Sequence, residues 1–97
     1  MSYQVKWLPE AVKDLRRLRG FIHPKNPQAA KRAAKRILEG VDRLADNPLL
    51  GLSNEELLDY SEILVPFGAG NYILRYRIKA EQVYIVRIWH SREQRSS

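Results

Sequence analysis

SEILVPFGAGNYILRYRIKAEQVYIVRIWH, residues 61–90, is the stretch that decides the fold. It reads as three short runs rich in β-branched and aromatic residues, broken twice by turn formers. Ser61 to Pro66 is the first expected strand, Tyr72 to Lys79 the second and Gln82 to Trp89 the third. The links Phe67-Gly68-Ala69-Gly70-Asn71 and Ala80-Glu81 are short enough for antiparallel hairpins. In the second strand, Tyr72, Leu74, Tyr76 and Ile78 share a face, and Ile73, Arg75, Arg77 and Lys79 share the other. In the third, Tyr84, Val86, Ile88 and His90 alternate with Val83, Ile85, Arg87 and Trp89. This predicts an apolar face for the core and an open face carrying a row of cations, with Arg87 near Arg75 or Arg77. Cations interleaved with Trp89 suit phosphates and stacked bases. An ordinary solvated sheet face is the competing reading.

Upstream, the periodicity changes from two to 3.6. Tyr3 to Trp7 alternates as a half-buried strand, and Pro9-Glu10 opens a helix. Ala11, Leu15, Leu18 and Ile22 form its apolar stripe, and His23-Pro24 stops it. Asn26-Pro27 starts a second helix with the stripe Ala30, Ala34, Ile37, Val41 and Leu44, ended by Asn47-Pro48. The short link argues for an antiparallel helical hairpin. Residues 49–60 read as irregular or as a short acidic turn. The order β-α-α-β-β-β predicts an α+β fold, with the hairpin packed on one face of an antiparallel sheet.

Composition agrees with one small domain over residues 1–97, with 44% hydrophobic residues and no cysteine. The lack of cysteine fits a reducing cytoplasm, and no signal peptide or membrane-length apolar run is visible. The net charge of +6 is uneven: residues 10–46 carry +5, residues 47–66 carry −4 and residues 67–97 carry +4. Such basic surfaces favour nucleic acid, a ribosome or an acidic protein. Two distant histidines without a carboxylate pair at ligand spacing predict no metal site. Gly68-Ala69-Gly70 precedes no helix, so no phosphate loop and no cofactor are expected.

Three segments carry a family resemblance. They are Asn26 through Pro48 to Gly51, then Ile63-Leu64-Val65-Pro66-Phe67-Gly68 with Tyr72 to Ile78, then Val83 through Trp89-His90-Ser91-Arg92-Glu93. In order and spacing they span nearly the whole chain, which resembles the RelE/ParE toxin superfamily, closer to its ParE-like subgroup. The resemblance implies a toxin neutralised by a cognate antitoxin with an acidic segment. It also implies one of two modes of action. RelE-like members cleave ribosome-bound mRNA, and ParE-like members inhibit DNA gyrase. An inert antitoxin-binding module is a third reading.

For a nuclease, Arg75, Arg77 and Arg87 would stabilise the phosphate and His90 would move protons. No tyrosine follows Tyr84, and Ser61 stands where many relatives carry arginine. Both departures favour the gyrase reading, for which Trp89, His90, Arg92, Glu93 and Arg95 are the expected target contacts. His90 also reads as a structural histidine at a strand end. Arg16, Arg19, Phe21, Lys31, Arg32, Lys35 and Arg36 are the expected antitoxin contacts, or else plain solvated helix charges.

Overall fold

The computed structural model describes residues 3–22, 26–51 and 59–93, without the side chains of residues 21 and 22. The elements are β1 (Gln4–Trp7), α1 (Pro9–Ile22), α2 (Pro27–Asp46), a single 3-10 turn (Pro48–Leu50), β2 (Ser61–Phe67), β3 (Gly70–Lys79) and β4 (Gln82–His90). The expected order and class hold. The expected roles of His23-Pro24, and of the acidic turn across residues 52–58, lie outside the described residues.

The cap signals work as read. Asn26 accepts a hydrogen bond from the Ala29 N–H at 3.0 Å, and Pro27 takes the first helical position. At the other end the Asn47 N–H bonds to the Arg43 carbonyl, and Pro48 cannot extend the helix. The buried face of α2 is Ala30, Ala33, Ile37, Gly40, Val41 and Leu44. Ala34, expected on that stripe, is half-buried instead. A Cβ on Gly40 would stand 2.8 Å from Val65 Cγ2, so the missing side chain lets α2 settle onto β2. The segment after α2 is pinned by Tyr76, whose hydroxyl donates to Pro48 O at 2.7 Å and accepts from Gly51 N at 2.9 Å.

The sheet order is β1-β4-β3-β2. β2, β3 and β4 form the expected antiparallel meander. β1, however, pairs in parallel with β4, from Gln4 opposite Gln82 to Trp7 opposite Ile85, so the sheet is mixed. Alternation in a four-residue strand fixes which face is buried and carries no information about direction. Helix α1 packs against β4, and α2 against α1 and β2.

A bulge in β4 overturns the expected face pattern of that strand. Arg75 lies opposite Arg87, but Tyr76 lies opposite Ile85, which leaves Val86 without a partner. Parity therefore reverses at Val86. Val83, Ile85 and Ile88 all reach the core, whereas Tyr84 and Arg87 share the open side with Arg77 and Arg75. Tyr84 and Val86 thus do not share a face with Ile88 and His90. In β3, Ile78 was expected in the core but is 40% exposed at the strand end, and Ile73 is buried on the nominally open side, opposite Trp89.

The β3–β4 turn stores strain. Ala80 and Glu81 both have positive φ, 51° and 62°, as a two-residue primed hairpin turn requires. That region costs a residue with a Cβ roughly 1–2 kcal/mol. Replacing the pair with Asn-Gly (Ala80→Asn with Glu81→Gly) is expected to stabilise the fold by about 1–2 kcal/mol. Chemical denaturation with an unchanged slope would check it; an unchanged midpoint would show that the turn is relaxed.

Candidate functional site

The free half of β4 organises the site. β1 covers β4 only as far as Ile85, so the outer edge from Val86 onward faces α1. Asp14, on the inner side of α1, is 4% exposed. Its Oδ2 accepts from the Ile88 N–H at 2.9 Å and from Arg87 Nε at 2.7 Å. Its Oδ1 accepts from Arg87 Nη2 and Arg17 Nη2, both at 3.2 Å. Arg17 also donates to the Ile88 carbonyl at 3.2 Å. Two α1 side chains thus satisfy both backbone groups of Ile88, as a neighbouring strand would. Burial works to raise the Asp14 pKa, but the hydrogen bonds from Arg87, Ile88 N–H and Arg17 outweigh it and hold it below its ordinary 3.8. The same bond raises the Arg87 pKa.

The network continues into the C-terminal turn. Arg17 pairs with Glu93, whose other oxygen accepts from His90 N at 2.9 Å. The Glu93 N–H bonds to the His90 carbonyl at 3.0 Å, and Ser91 bonds to the Asn71 backbone. His90 has both ring nitrogens in use. Nδ1 accepts from Arg92 N at 3.2 Å, which places the hydrogen on Nε2, 3.1 Å from the Phe67 carbonyl. Its ring meets Tyr72 edge-on at 4.9 Å. Both ring nitrogens thus serve the turn at the end of β4.

On the open face, Arg75 is also committed. Its guanidinium pairs with Glu62 at 2.8 Å and lies 5.1 Å from the centre of the Trp89 ring. Arg77 forms no ion pair among the described residues. The four expected nuclease residues are therefore not equivalent. Arg75 and Arg87 lie opposite one another, but each is held by a carboxylate, His90 points to the core side, and Arg77 stands apart. No three histidine, cysteine or acidic side chains converge as metal ligands among the described residues.

Of the expected target contacts, Trp89 lies on the open face beneath Arg75, and His90 and Glu93 shape the turn. Arg92 is exposed and reaches the Ala69 carbonyl at 3.3 Å. Arg95 lies outside the described residues.

The expected antitoxin residues divide between two grooves flanking α2. Arg16, Arg19, Lys31 and Lys35 rim a groove of about 620 Å³ between the helices, floored by Leu15 and the half-exposed Leu38. Arg32, Lys35 and Arg36 rim a second, of about 870 Å³, between α2 and the β2–β3 turn. The Phe21 side chain lies outside the described set. Asp14 and Arg17 were missed from sequence. The one signal in the sequence was a carboxylate one turn after Glu10 beside the apolar stripe.

A family model described as the ParE toxin of the parDE type II toxin–antitoxin system matches residues 5–95. Toxin RelE3 of Caulobacter vibrioides is 39% identical, over 90% of this chain and 92% of its own. Toxin RelE1 of the same organism is 34% identical, over 98% and 100%. Among solved structures, a chromosomal ParDE system from P. aeruginosa shares the fold, with a TM-score of 0.73 at 21% identity over 92% of this chain and 96% of that one. The RelBE2 toxin–antitoxin complex of Mycobacterium tuberculosis aligns with a TM-score of 0.60 at 26% identity, over 93% and 99%.

The Asp14 network makes a stability prediction. Asp14→Ala leaves the Ile88 N–H buried without a partner, while Arg87 and Arg17, 39% and 43% exposed, can turn to water. The expected loss is about 3 kcal/mol, the low end for breaking a buried pair. Because the folded pKa is depressed, this contribution is full above pH 3.8 and is lost as pH falls through the lower folded value. The gap between wild type and Asp14→Asn should be constant at neutral pH and close in acid. A gap independent of pH in urea titrations would refute an ionised Asp14.

Proposed function

Because the chain belongs to the ParE toxin family of type II toxin–antitoxin systems, we propose that it acts by binding DNA gyrase and blocking it, without cutting RNA. One observation carries this reading. Three of the four groups that would do ribonuclease chemistry are spent on the fold: Arg87 on Asp14, Arg75 on Glu62, and both His90 nitrogens on backbone partners, which leaves Arg77 with no proton-transfer partner beside it. General acid–base catalysis needs a group free to exchange a proton with substrate. A binding inhibitor needs only an exposed contact surface.

The C-terminal turn supplies such a surface. Glu93 and His90 fix its geometry, Arg92 stands exposed on it, and Arg95 follows in sequence. The stacked Trp89 and Arg75 lie next to it as an aromatic–arginine anchor of the kind favoured at hot spots.

Regulation comes from a cognate antitoxin bound as a hetero-oligomer, as in the ParDE and RelBE2 systems of similar fold. Its acidic segment folds onto α1 and α2, with apolar residues over Leu15 and Leu38 and carboxylates against Arg19, Lys31 and Lys35. The two functions therefore use different surfaces.

Gyrase supercoiling assays test the reading. The wild-type protein is expected to inhibit supercoiling, accumulate cleaved DNA and be reversed by antitoxin. Arg92→Glu with Arg95→Glu should raise the half-inhibitory concentration at least about tenfold, the scale of a hot-spot loss, while antitoxin still binds. Arg19→Glu with Lys31→Glu should do the reverse. A folded protein that arrests growth with supercoiling untouched would sink the gyrase target and turn attention to ribosome-bound mRNA, with Arg77 as the first substitution.

A further inference from the structure

The strand register assembles a row of side chains that the sequence keeps apart. Lys6 on β1 lies opposite Tyr84 on β4, and Tyr84 lies opposite Arg77 on β3. In cross-section the open face thus reads cation, aromatic, cation. The adjoining row toward the β3–β4 turn is Gln4, Gln82 and Lys79. Lys6 and Lys79 are exposed, and Tyr84 and Arg77 are half-buried.

The tyrosine is held. Its hydroxyl donates to Gln82 Oε1 at 2.6 Å, and Gln82 Nε2 donates to Gln4 Oε1 at 3.0 Å. Neither row contains a carboxylate. Glu62, the acid on this face, is taken by Arg75. Glu81 in the adjoining turn and Asp59 before β2 form no ion pair with these cations among the described residues. The result is a positive stretch of the open face with a hydrogen-bonded aromatic ring at its centre, lined by none of the residues of the grooves that flank α2.

We propose that this row is a binding site for single-stranded nucleic acid: Lys6, Arg77 and Lys79 take phosphates, and the Tyr84 ring stacks on an unpaired base. Positive charge alone would suit any polyanion. The ring between the cations selects the single strand, because only an unstacked base offers its face. A broad four-stranded sheet face also does not enter a duplex groove as a helix or two-stranded ribbon does. The row shares no residue with the C-terminal turn, so this site and the gyrase reading can fail separately.

Fluorescence anisotropy on the full chain tests the site, with labelled oligo-dT, oligo-U and a duplex, each about 20 nucleotides or base pairs long, a length that exceeds common single-strand site sizes. Single strands should bind more tightly than the duplex, and a preference for dT or U identifies DNA or RNA as the natural source. Tyr84→Ala should weaken single-strand binding about tenfold, while Tyr84→Phe, which keeps the ring, stays near wild type. Lys6→Gln and Arg77→Gln should each lower the slope of log affinity against log salt by about 0.7. Circular dichroism confirms that each variant is folded. Four results would overturn the site: no single-strand binding by the folded protein; duplex binding as tight, with Tyr84→Ala harmless; equal losses from Lys31→Gln and Arg32→Gln on α2; or displacement by poly-glutamate as effective as by unlabelled oligonucleotide.

Discussion

Between α1 and the free half of β4, one carboxylate accepts hydrogen bonds from a backbone N–H and two guanidinium groups. Asp14 closes a sheet edge that no strand covers, just beyond the β4 bulge. Without it the Ile88 N–H would be buried with no partner, at a cost of about 1–3 kcal/mol. The parity change at Val86 presents these groups to Asp14: Ile88 turns into the core, Arg87 reaches α1, and Trp89 comes up beneath Arg75. Arg17 then passes the constraint on to Glu93 and the C-terminal turn. One buried acid thereby sets the direction in which the chain leaves the sheet.

The parts of this structure legible in the sequence are those specified locally. Asn26-Pro27 and Asn47-Pro48 bound α2 because a cap and a missing N–H act within a few residues. The hairpins were legible because short links permit little else. What was not legible depends on pairing. Nothing in Gln82 to Trp89 announces a bulge, and the α1 groups that meet Arg87 and Ile88 beyond it lie some 70 residues away, so the alternation was followed through Val86 when it should have been reversed there. The parallel placement of β1 is hidden for a similar reason, because four residues carry a face but no direction. Asp14 itself sits in a run of helix charges where most acids are solvated.

The candidate sites divide in the same way. Counting cations on the open face gave a cluster of three arginines, whereas pairing them with their acids changes the account. Arg75 and Arg87 belong to the architecture, and their proximity across the strands is tolerated because Glu62 and Asp14 neutralise them. The helix cations were read as one group, whereas α2 splits them between two grooves, so one continuous acidic segment could meet all of them only by crossing the helix.

What is left after pairing is the most informative charge on the molecule. Lys6 and Arg77 stand on either side of Tyr84, about 10 Å apart at two strand spacings. Their mutual repulsion in water is roughly 0.4 kcal/mol before screening, and less at physiological salt. The fold therefore tolerates them easily, but it gains nothing from them, for they cap no edge, hold no turn and neutralise no acid among the described residues. Arg87 and Arg75 have their structural reasons in Asp14 and Glu62. A cation flanking a hydrogen-bonded aromatic on an open sheet, with no such reason, is what the proposed strand-binding row requires.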